Sequence, residues 1–331
     1  MKKRVAVVGA GAFGKNHARV VSESARAELK FVVDTNEARA REFAHGAQVL
    51  TDYRELIGQV DAAIIAVPTV AHAEVGCSLL EAGIDVLIEK PIASSLEEAD
   101  RLVRTAERQG RLVQVGHLER FNPAVIALEK LVTLPLFFEV HRMSMFTLRS
   151  LDVDVVLDLM IHDLDVVLAF VKSPVKSVDA VGIPVLSTSE DIANARLRFA
   201  NGCVANMTVS RVSPERMRKI RVFSGGAMTS YISLDYRAQE GFIYRIARDD
   251  EEESSLLKKL LRAKDSTIVS AFGGKRIVRE PVPITKEEPL KLELQHFVQC
   301  VRAHLTPDVS GESAKRALDL AFEITRQIRA Q

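Results

Sequence analysis

Val7-Val8-Gly9-Ala10-Gly11-Ala12-Phe13-Gly14-Lys15-Asn16 is the stretch on which the reading of the fold turns. A short apolar run closes on Gly9, and three glycines at G-x-G-x-x-G spacing lead into a helix-like segment. Gly9 permits a tight turn, Gly11 lets the backbone approach a pyrophosphate, and Gly14 allows close helix–strand packing. A helix that starts there offers free N–H groups and a partial positive charge to phosphates. A second apolar run, 29–33, ends at Asp34, 20 residues beyond Gly14. A carboxylate at that place accepts hydrogen bonds from both ribose hydroxyls of NAD and repels the 2′-phosphate of NADP. NAD is therefore the expected cofactor, with NADP disfavoured by Asp34. Gly9 to Lys15 also fits the first seven positions of the NTPase phosphate loop. Asn16 stands where that loop needs a Ser or Thr hydroxyl for Mg²⁺, which favours the dinucleotide reading.

Working outward, β-rich runs at 4–8, 29–33, 62–67, 86–88 and 112–115 alternate with helix-like segments at 14–24, 72–82 and 96–109. Near-continuous apolar strands separated by helices predict a parallel sheet covered on both faces, the doubly wound α/β pattern. Beyond about residue 135 the texture changes. An alternating run at 136–145 and a helix over 153–171 precede β-rich runs at 175–186, 192–199, 204–212, 219–223 and 230–236. Ala200-Asn201-Gly202-Cys203 reads as a hairpin turn, because Asn and Gly tolerate positive φ. Strands without intervening helices imply an antiparallel sheet. The charged stretch 247–275 is expected to be a mobile excursion, and amphipathic helices at 290–304 and 311–330 close the chain. The fold class is thus an N-terminal Rossmann doubly wound sheet, residues 1–121, plus a C-terminal α+β domain with a large open, mostly antiparallel sheet, residues 122–331.

Composition removes several function classes. The 45 Lys and Arg against 44 Asp and Glu leave no cationic excess to displace the counterions of nucleic acid. No run of about 18 uncharged apolar residues spans a membrane. The apolar run after Met1-Lys2-Lys3-Arg4 stops at Gly9, too short for a signal-peptide core. Cys77, Cys203 and Cys300 are far apart with no CxxC, which fits a reducing compartment and a cytoplasmic location.

Two further motifs carry a resemblance. Val67-Pro68-Thr-Val-Ala-His72 and Ile88-Glu89-Lys90-Pro91, taken with the glycine loop, resemble the Gfo/Idh/MocA oxidoreductases over essentially the whole chain. The resemblance implies an NAD(P)-binding domain and substrate bound between the domains. It also implies homodimers or homotetramers formed through the C-terminal sheet. By the same resemblance, Gly9, Gly11, Ala12, Phe13, Gly14, Asp34, Val67, Pro68, His72, Glu89, Lys90 and Pro91 hold the cofactor. Lys90 reaches the reacting oxygen, and Pro91 shapes the turn beneath the nicotinamide. Independently of family, Gly9, Asp34, Pro68 and Lys90 all follow strand ends and should share one edge of the sheet, where doubly wound proteins bind ligands. The bland alternative for Lys90 is a solvated cation paired with Glu89.

On the helix over 153–171, about 100° per residue brings Asp158, His162 and Asp165 onto one face. An apolar stripe of Leu157, Ile161, Leu164, Leu168 and Val171 runs beside them, and Asp163 is expected to be solvated. The family's Asp-x-x-x-His element maps to Asp158 and His162. His162 would be the acid/base that takes the hydroxyl proton, Lys90 would hold the substrate oxygen and share in the transfer, and Asp158 would position substrate or the pair. The alternatives are a helix-face His satisfied by Asp158 or Asp165, and a metal site, for which no further ligand cluster is present. No metal is expected. The resemblance also brings Arg120 and Asn122 near nicotinamide and substrate, although Arg120 can equally be a salt-bridged linker residue.

The pattern His117-Leu-Glu-Arg120-Phe-Asn122-Pro123 together with Asp158-Leu-Met-Ile-His162-Asp163 looks closest to the branch containing UDP-N-acetylglucosamine 3-dehydrogenases. That branch commonly acts ahead of a transaminase in lipid A or surface-sugar synthesis. Arg211, Arg216 and Lys219 can supply charge for a diphosphate or simply mark an exposed sheet edge. Leu151-Asp-Val-Asp-Val-Val156 departs from the glycine run of many sugar-oxidising members, which weakens inference about the pocket entrance. The implied activity is NAD-dependent oxidation of a nucleotide-sugar 3-hydroxyl. The alternatives are a free-sugar or inositol dehydrogenase using the same residues, and a non-catalytic NAD-sensing regulator. A regulator is expected to lose the lysine or histidine, and both are present.

Overall fold

A computed structural model describes residues 2–146, 153–226, 229–247, 267–272 and 275–330. The chain forms two compact units. One comprises Met1–Phe121 with Glu287–Leu320, the other Asn122–Lys286 with Ala321–Gln331.

In the first unit, β1 (Lys3–Val8), β2 (Ala27–Val33), β3 (Gln48–Leu50), β4 (Ala62–Ile65), β5 (Asp85–Ile88) and β6 (Val113–Val115) form a parallel sheet of order β3-β2-β1-β4-β5-β6. Helices α1 (Gly14–Ser22), α2 (Glu37–Glu42), α3 (His72–Glu81) and α4 (Leu96–Gln109) connect the strands. The strands β4 and β5 are buried at every residue, as near-continuous apolar runs require. Helix α4 keeps the expected boundaries because both its ends are specified. Ser95 Oγ accepts from Glu98 N at 3.2 Å, and Gly110 closes the helix at φ +60°.

Helix α7 (Pro289–Ala303) and residues 311–320 of α8 (Gly311–Arg329) belong to this first unit, whereas the sequence reading assigns everything after residue 121 to the second. The reason is packing. Leu294, Phe297, Val298 and Val301 of α7 are buried in one cluster with Val5, Val7, Val20, Val21 and Leu87. At about 1.5–3 kcal/mol per buried side chain, those four contribute on the order of the net stability of a whole domain. The first unit is therefore discontinuous in sequence.

In the second unit, α5 (Pro123–Leu131) precedes β7 (Leu134–Met143). A π turn (Val156–Met160) then leads straight into α6 (Ile161–Val171). The remaining strands are β8 (Val175–Ile183), β9 (Ile192–Phe199), β10 (Val204–Ser210), β11 (Met217–Gly225), β12 (Ser230–Asp235), β13 (Glu240–Ile246), β14 (Thr267–Phe272) and β15 (Lys275–Pro281). They form one sheet of order β14-β15-β13-β12-β11-β7-β10-β9-β8. Only the β7–β10 pair is parallel, so the sheet is mostly antiparallel as expected. The hairpin between β9 and β10 turns at Gly202, φ +89°.

Alternation splits this sheet into two faces. Phe138, Val140, Ala205, Met207, Val222 and Ile232 are buried on one. The other carries an aromatic row in which Phe137–Phe223, Phe223–Tyr231 and Tyr231–Tyr244 centroids lie 6.0, 4.7 and 5.4 Å apart. Part of the presumed excursion at 247–275 is regular structure, since β14 pairs with β15 and β15 with β13. Residues 248–266 and 273–274 of that stretch, and Leu151 and Asp152, lie outside the described residues. Among the described residues no helix is long and apolar enough to cross a membrane.

Candidate active site

Gly9, Asp34, Pro68 and Lys90 lie beyond the carboxyl ends of β1, β2, β4 and β5, which are neighbours in the sheet. Register fixes this shared edge: Val8 is opposite both Val33 and Ile65, and Ile65 is opposite Ile88. The loop after β1 also sits where the strand order reverses, the crevice position for a dinucleotide.

The glycines are separable by what surrounds them. Gly9 has φ +93°, and a Cβ there would lie 2.5 Å from the Ala66 carbonyl oxygen. At Gly14 a Cβ would lie 1.7 Å from the Gly9 carbonyl oxygen. At Gly11 nothing lies within 4 Å of the Cβ position, so its backbone faces open space. Ala12 and Phe13 are exposed at the tip of the loop. This cradle, open at Gly11 and at the start of α1, fits a pyrophosphate.

Asp34 is buried, and its carboxylate is aimed by the backbone. Oδ2 accepts from Ala10 N and Oδ1 from Asn36 N, both at 2.8 Å. Each oxygen keeps acceptor capacity for a ribose hydroxyl. The exposed Arg39 guanidinium stands 3.8 Å from Oδ2.

The turn after β5 holds Lys90, half-buried and followed by a cis peptide bond to Pro91. Two buried groups brace it. His72 Nδ1 lies 2.9 Å from the Pro91 carbonyl oxygen and Nε2 lies 3.0 Å from that of Val67. Burial pushes the His72 pKa down, and the Pro91 and Val67 carbonyls oppose that shift. The ring nitrogens are thus turned onto the backbone of the two motif turns. Val67 and Pro68 lie at the start of the β4–α3 connection, with Pro68 exposed. His17 on α1 was not singled out in the sequence. Its Nε2–H donates to Glu89 Oε1 at 2.6 Å, tying the glycine-loop helix to the Lys90 turn. Burial alone would raise the Glu89 pKa. The hydrogen bond and charge of His17, with the Lys90 N–H, hold it below the usual range.

Glu293 on α7 is also buried, and burial followed by the charge of Glu89 pushes its pKa well above 4.5. Two carboxyls pushed in opposite directions leave Glu89 ionised and Glu293 neutral. An unfolded Glu ionises near its ordinary value, so above it the folded chain holds the extra proton. That stability is complete at low pH and is lost as pH rises toward the folded pKa. Glu293→Gln removes the titration and keeps the shape. Its melting temperature is expected to exceed wild type at about pH 8, with the gap closing toward about pH 4. A gap independent of pH would show that Glu293 is ionised in the fold.

Arg120, half-buried in the 3₁₀ turn Leu118–Phe121, adds its charge to those acting on His296, whose ring stacks 5.2 Å from Phe121. In the second unit, Asn122 is the cap of α5. Its Oδ1 accepts from Ala124 N at 3.0 Å and its Nδ2 donates to the Tyr236 carbonyl oxygen at 3.0 Å. The side chain is buried with those bonds.

Asp158 lies within the π turn and His162 in the first turn of α6, both half-buried, with Asp165 buried one turn later. The sequence reading treats 153–171 as one α-helix. The π turn inserts i→i+5 bonding immediately before His162, a deformation frequent at functional sites. Two expectations beside it are overturned. Asp163 is buried rather than solvated, because Arg142 from β7 reaches it with Nε–Oδ2 at 2.6 Å and Nη2–Oδ1 at 2.8 Å. Arg211 is not available for a diphosphate, because it is buried against Asp191, Nε–Oδ1 at 2.7 Å, and donates to the Val153 carbonyl oxygen at 2.7 Å. Asp191 also accepts from Val185, Leu186 and Ser187 N, and with Arg211 these hold its pKa far below the carboxylate range despite burial. Arg216 remains exposed and Lys219 half-buried. Among the described residues no group of three or more His, Cys, Asp or Glu is arranged to hold a metal ion.

Residues 3–117 match the model of an oxidoreductase family with an NAD-binding Rossmann fold, and residues 136–227 match the Gfo/Idh/MocA C-terminal domain. The chain is 31% identical to UDP-N-acetylglucosamine 3-dehydrogenase of Acidithiobacillus ferrooxidans over 99% of this chain and 97% of that protein. It belongs to the Gfo/Idh/MocA oxidoreductases. The solved structure of that relative superposes on this oxidoreductase with a TM-score of 0.85, covering 100% of this chain and 99% of that one. The NAD-dependent scyllo-inositol 2-dehydrogenase of Bacillus subtilis is 26% identical over 98% of this chain and 94% of its own length. The glycine cradle and Asp34 accordingly belong to a nicotinamide-dinucleotide domain of this oxidoreductase.

Proposed function

We propose that this oxidoreductase uses NAD to oxidise the 3-hydroxyl of UDP-N-acetylglucosamine, or of a closely related nucleotide sugar, to a ketone. The observation that carries the substrate is the full-length likeness to the Acidithiobacillus ferrooxidans enzyme. The preference for NAD is supported by Asp34, whose anchored carboxylate accepts ribose hydroxyls and would face a doubly charged 2′-phosphate at short range.

Lys90 holds the reacting oxygen by a charge-assisted hydrogen bond and stabilises negative charge as the hydroxyl proton departs. His162 takes that proton, a role suited to an imidazole because its ordinary pKa lies near the working pH. Asp158 orients the sugar or His162. Bound nicotinamide supplies the hydride acceptor. The glycine cradle and Asp34 set its position through the phosphates and ribose, and the His72 and His17–Glu89 braces hold the Lys90 turn in register with it.

The test is NADH formation from UDP-N-acetylglucosamine, with the ketone trapped by an aminotransferase or a ketone reagent so that an unfavourable equilibrium does not hide turnover. NADP is expected to give at least about tenfold lower kcat/KM, a difference of roughly 1.4 kcal/mol. No NADH from the nucleotide sugar under trapping, beside rapid turnover of myo-inositol or a free hexose, would overturn the substrate assignment. The aromatic face of the large sheet is proposed to meet its copy in a second chain. It carries Glu139 beside Arg221 among the aromatics, and both signs on one patch make it self-complementary under two-fold symmetry. A single-chain mass by light scattering would overturn that part.

A further inference from the structure

We propose that Arg142 and Asp163 are positioning residues that fix the rotation of the helix bearing Asp158 and His162. Arg142 stands on the buried face of β7 with Phe138 and Val140, and the two nitrogens of its guanidinium reach the two oxygens of Asp163, the residue immediately after His162. A fork of two parallel bonds fixes direction as well as distance. Apart from Asp165, the other buried residues of α6, among them Ile161, Leu164 and Val167, are apolar. Apolar burial is non-directional, so it resists separation of helix from sheet far better than rotation of the helix.

The π turn makes such a restraint necessary. It interrupts the i→i+4 ladder just upstream, where a regular helix would transmit orientation from its start. That start is separately held. Asp154 Oδ1 accepts from Val156 N and Leu157 N at 3.0 Å, and Arg211 donates to the Val153 carbonyl oxygen. The π turn with Asp158 is thus gripped before and after, and the Arg142–Asp163 fork is a two-bonded grip on the downstream side. Stability does not account for the ion pair, since well-packed apolar pairs commonly replace buried ion pairs without loss of stability.

That contrast supplies the test. The double variant Arg142→Met/Asp163→Leu removes both charges together and avoids leaving one buried alone. It is expected to fold with a melting temperature near wild type. Its kcat is expected to fall about 10²-fold, as for a reacting group displaced by about an ångström, with a much smaller change in KM. The imidazole resonances of His162 should shift or broaden, which is read by NMR without any turnover. A folded double variant with wild-type kcat and an unchanged His162 signal overturns the proposal. If the double variant does not fold, Arg142→Lys decides, because it keeps the charge and loses the fork. It should still fold, melting below wild type for the lost bond, with kcat lowered about tenfold, and wild-type kcat there overturns the proposal equally. The inference rests on His162 as the acid/base, and His162→Ala separates the two failures. Full turnover in that variant sinks the role of His162, whereas a dead His162→Ala beside an active double variant sinks only the positioning role.

Discussion

Lys90→Met is expected to lower kcat by roughly 10²–10⁴-fold, the range lost with a group that handles a proton or its charge in the transition state. Methionine keeps the length and the apolar stem and removes only the ammonium. Lys90 is half-buried beyond the end of β5, and His72 and Glu89 both hydrogen-bond the backbone of the turn that carries it. The fold and the melting temperature should therefore be little changed. KM should rise less than kcat falls, because the ammonium interacts most strongly with oxygen that is losing its proton. His162→Ala is expected to fall in the same range. Turnover by both variants within a few-fold of wild type would remove the catalytic roles of Lys90 and His162.

Gly11→Ala and Gly14→Ala are expected to fail in opposite ways, although both touch one loop. A methyl on Gly14 would sit 1.7 Å from the Gly9 carbonyl oxygen, and Gly9 is itself closed in by Ala66. The backbone must move, at a cost of about 3–5 kcal/mol typical of severe core overlap, and the variant should melt far below wild type or fail to fold. A methyl on Gly11 meets nothing within 4 Å, so that variant should melt with wild type. The methyl instead fills space a pyrophosphate needs. The dissociation constant for NAD, read by calorimetry, is expected to rise at least about tenfold, roughly 1.4 kcal/mol. Unchanged NAD affinity in Gly11→Ala would remove the phosphate from this loop.

What the sequence discloses is uneven, and the reasons are physical. The glycine loop, the strand ends and helix α4 are legible because short-range chemistry fixes them, as Ser95 and Gly110 do at the two ends of α4. The short strand β3 and the six-residue helix α2 carry too little periodicity to be seen. The π turn is invisible to a reading that assumes 100° per residue. The hydrogen-bond partners of His72 and Asn122 were not legible, because a motif gives proximity to a site and not the direction of a side chain. Arg142 did leave a signal. Phe138, Val140 and Arg142 alternate onto one face of β7, and a cation on a face otherwise apolar demands a buried carboxylate. The membership of α7 in the first unit left none, because the partners of Leu294 and Phe297 lie some 200 residues or more away in sequence.

That distance has a consequence for synthesis. The core around Val5, Val20 and Leu87 stays open until Leu294, Phe297, Val298 and Val301 are made. Residues 122–286 must be translated in between, on the order of ten to thirty seconds at usual elongation rates. For that interval the core of the nascent first unit stays open, and the second unit in turn lacks Ala321–Gln331 until the chain is nearly finished. Neither unit is complete until the C-terminal helices have been made. A ribosome-bound chain stalled just before Leu290 is the form most exposed to chaperones, and the dinucleotide cradle acquires its final support with one of the last helices to emerge.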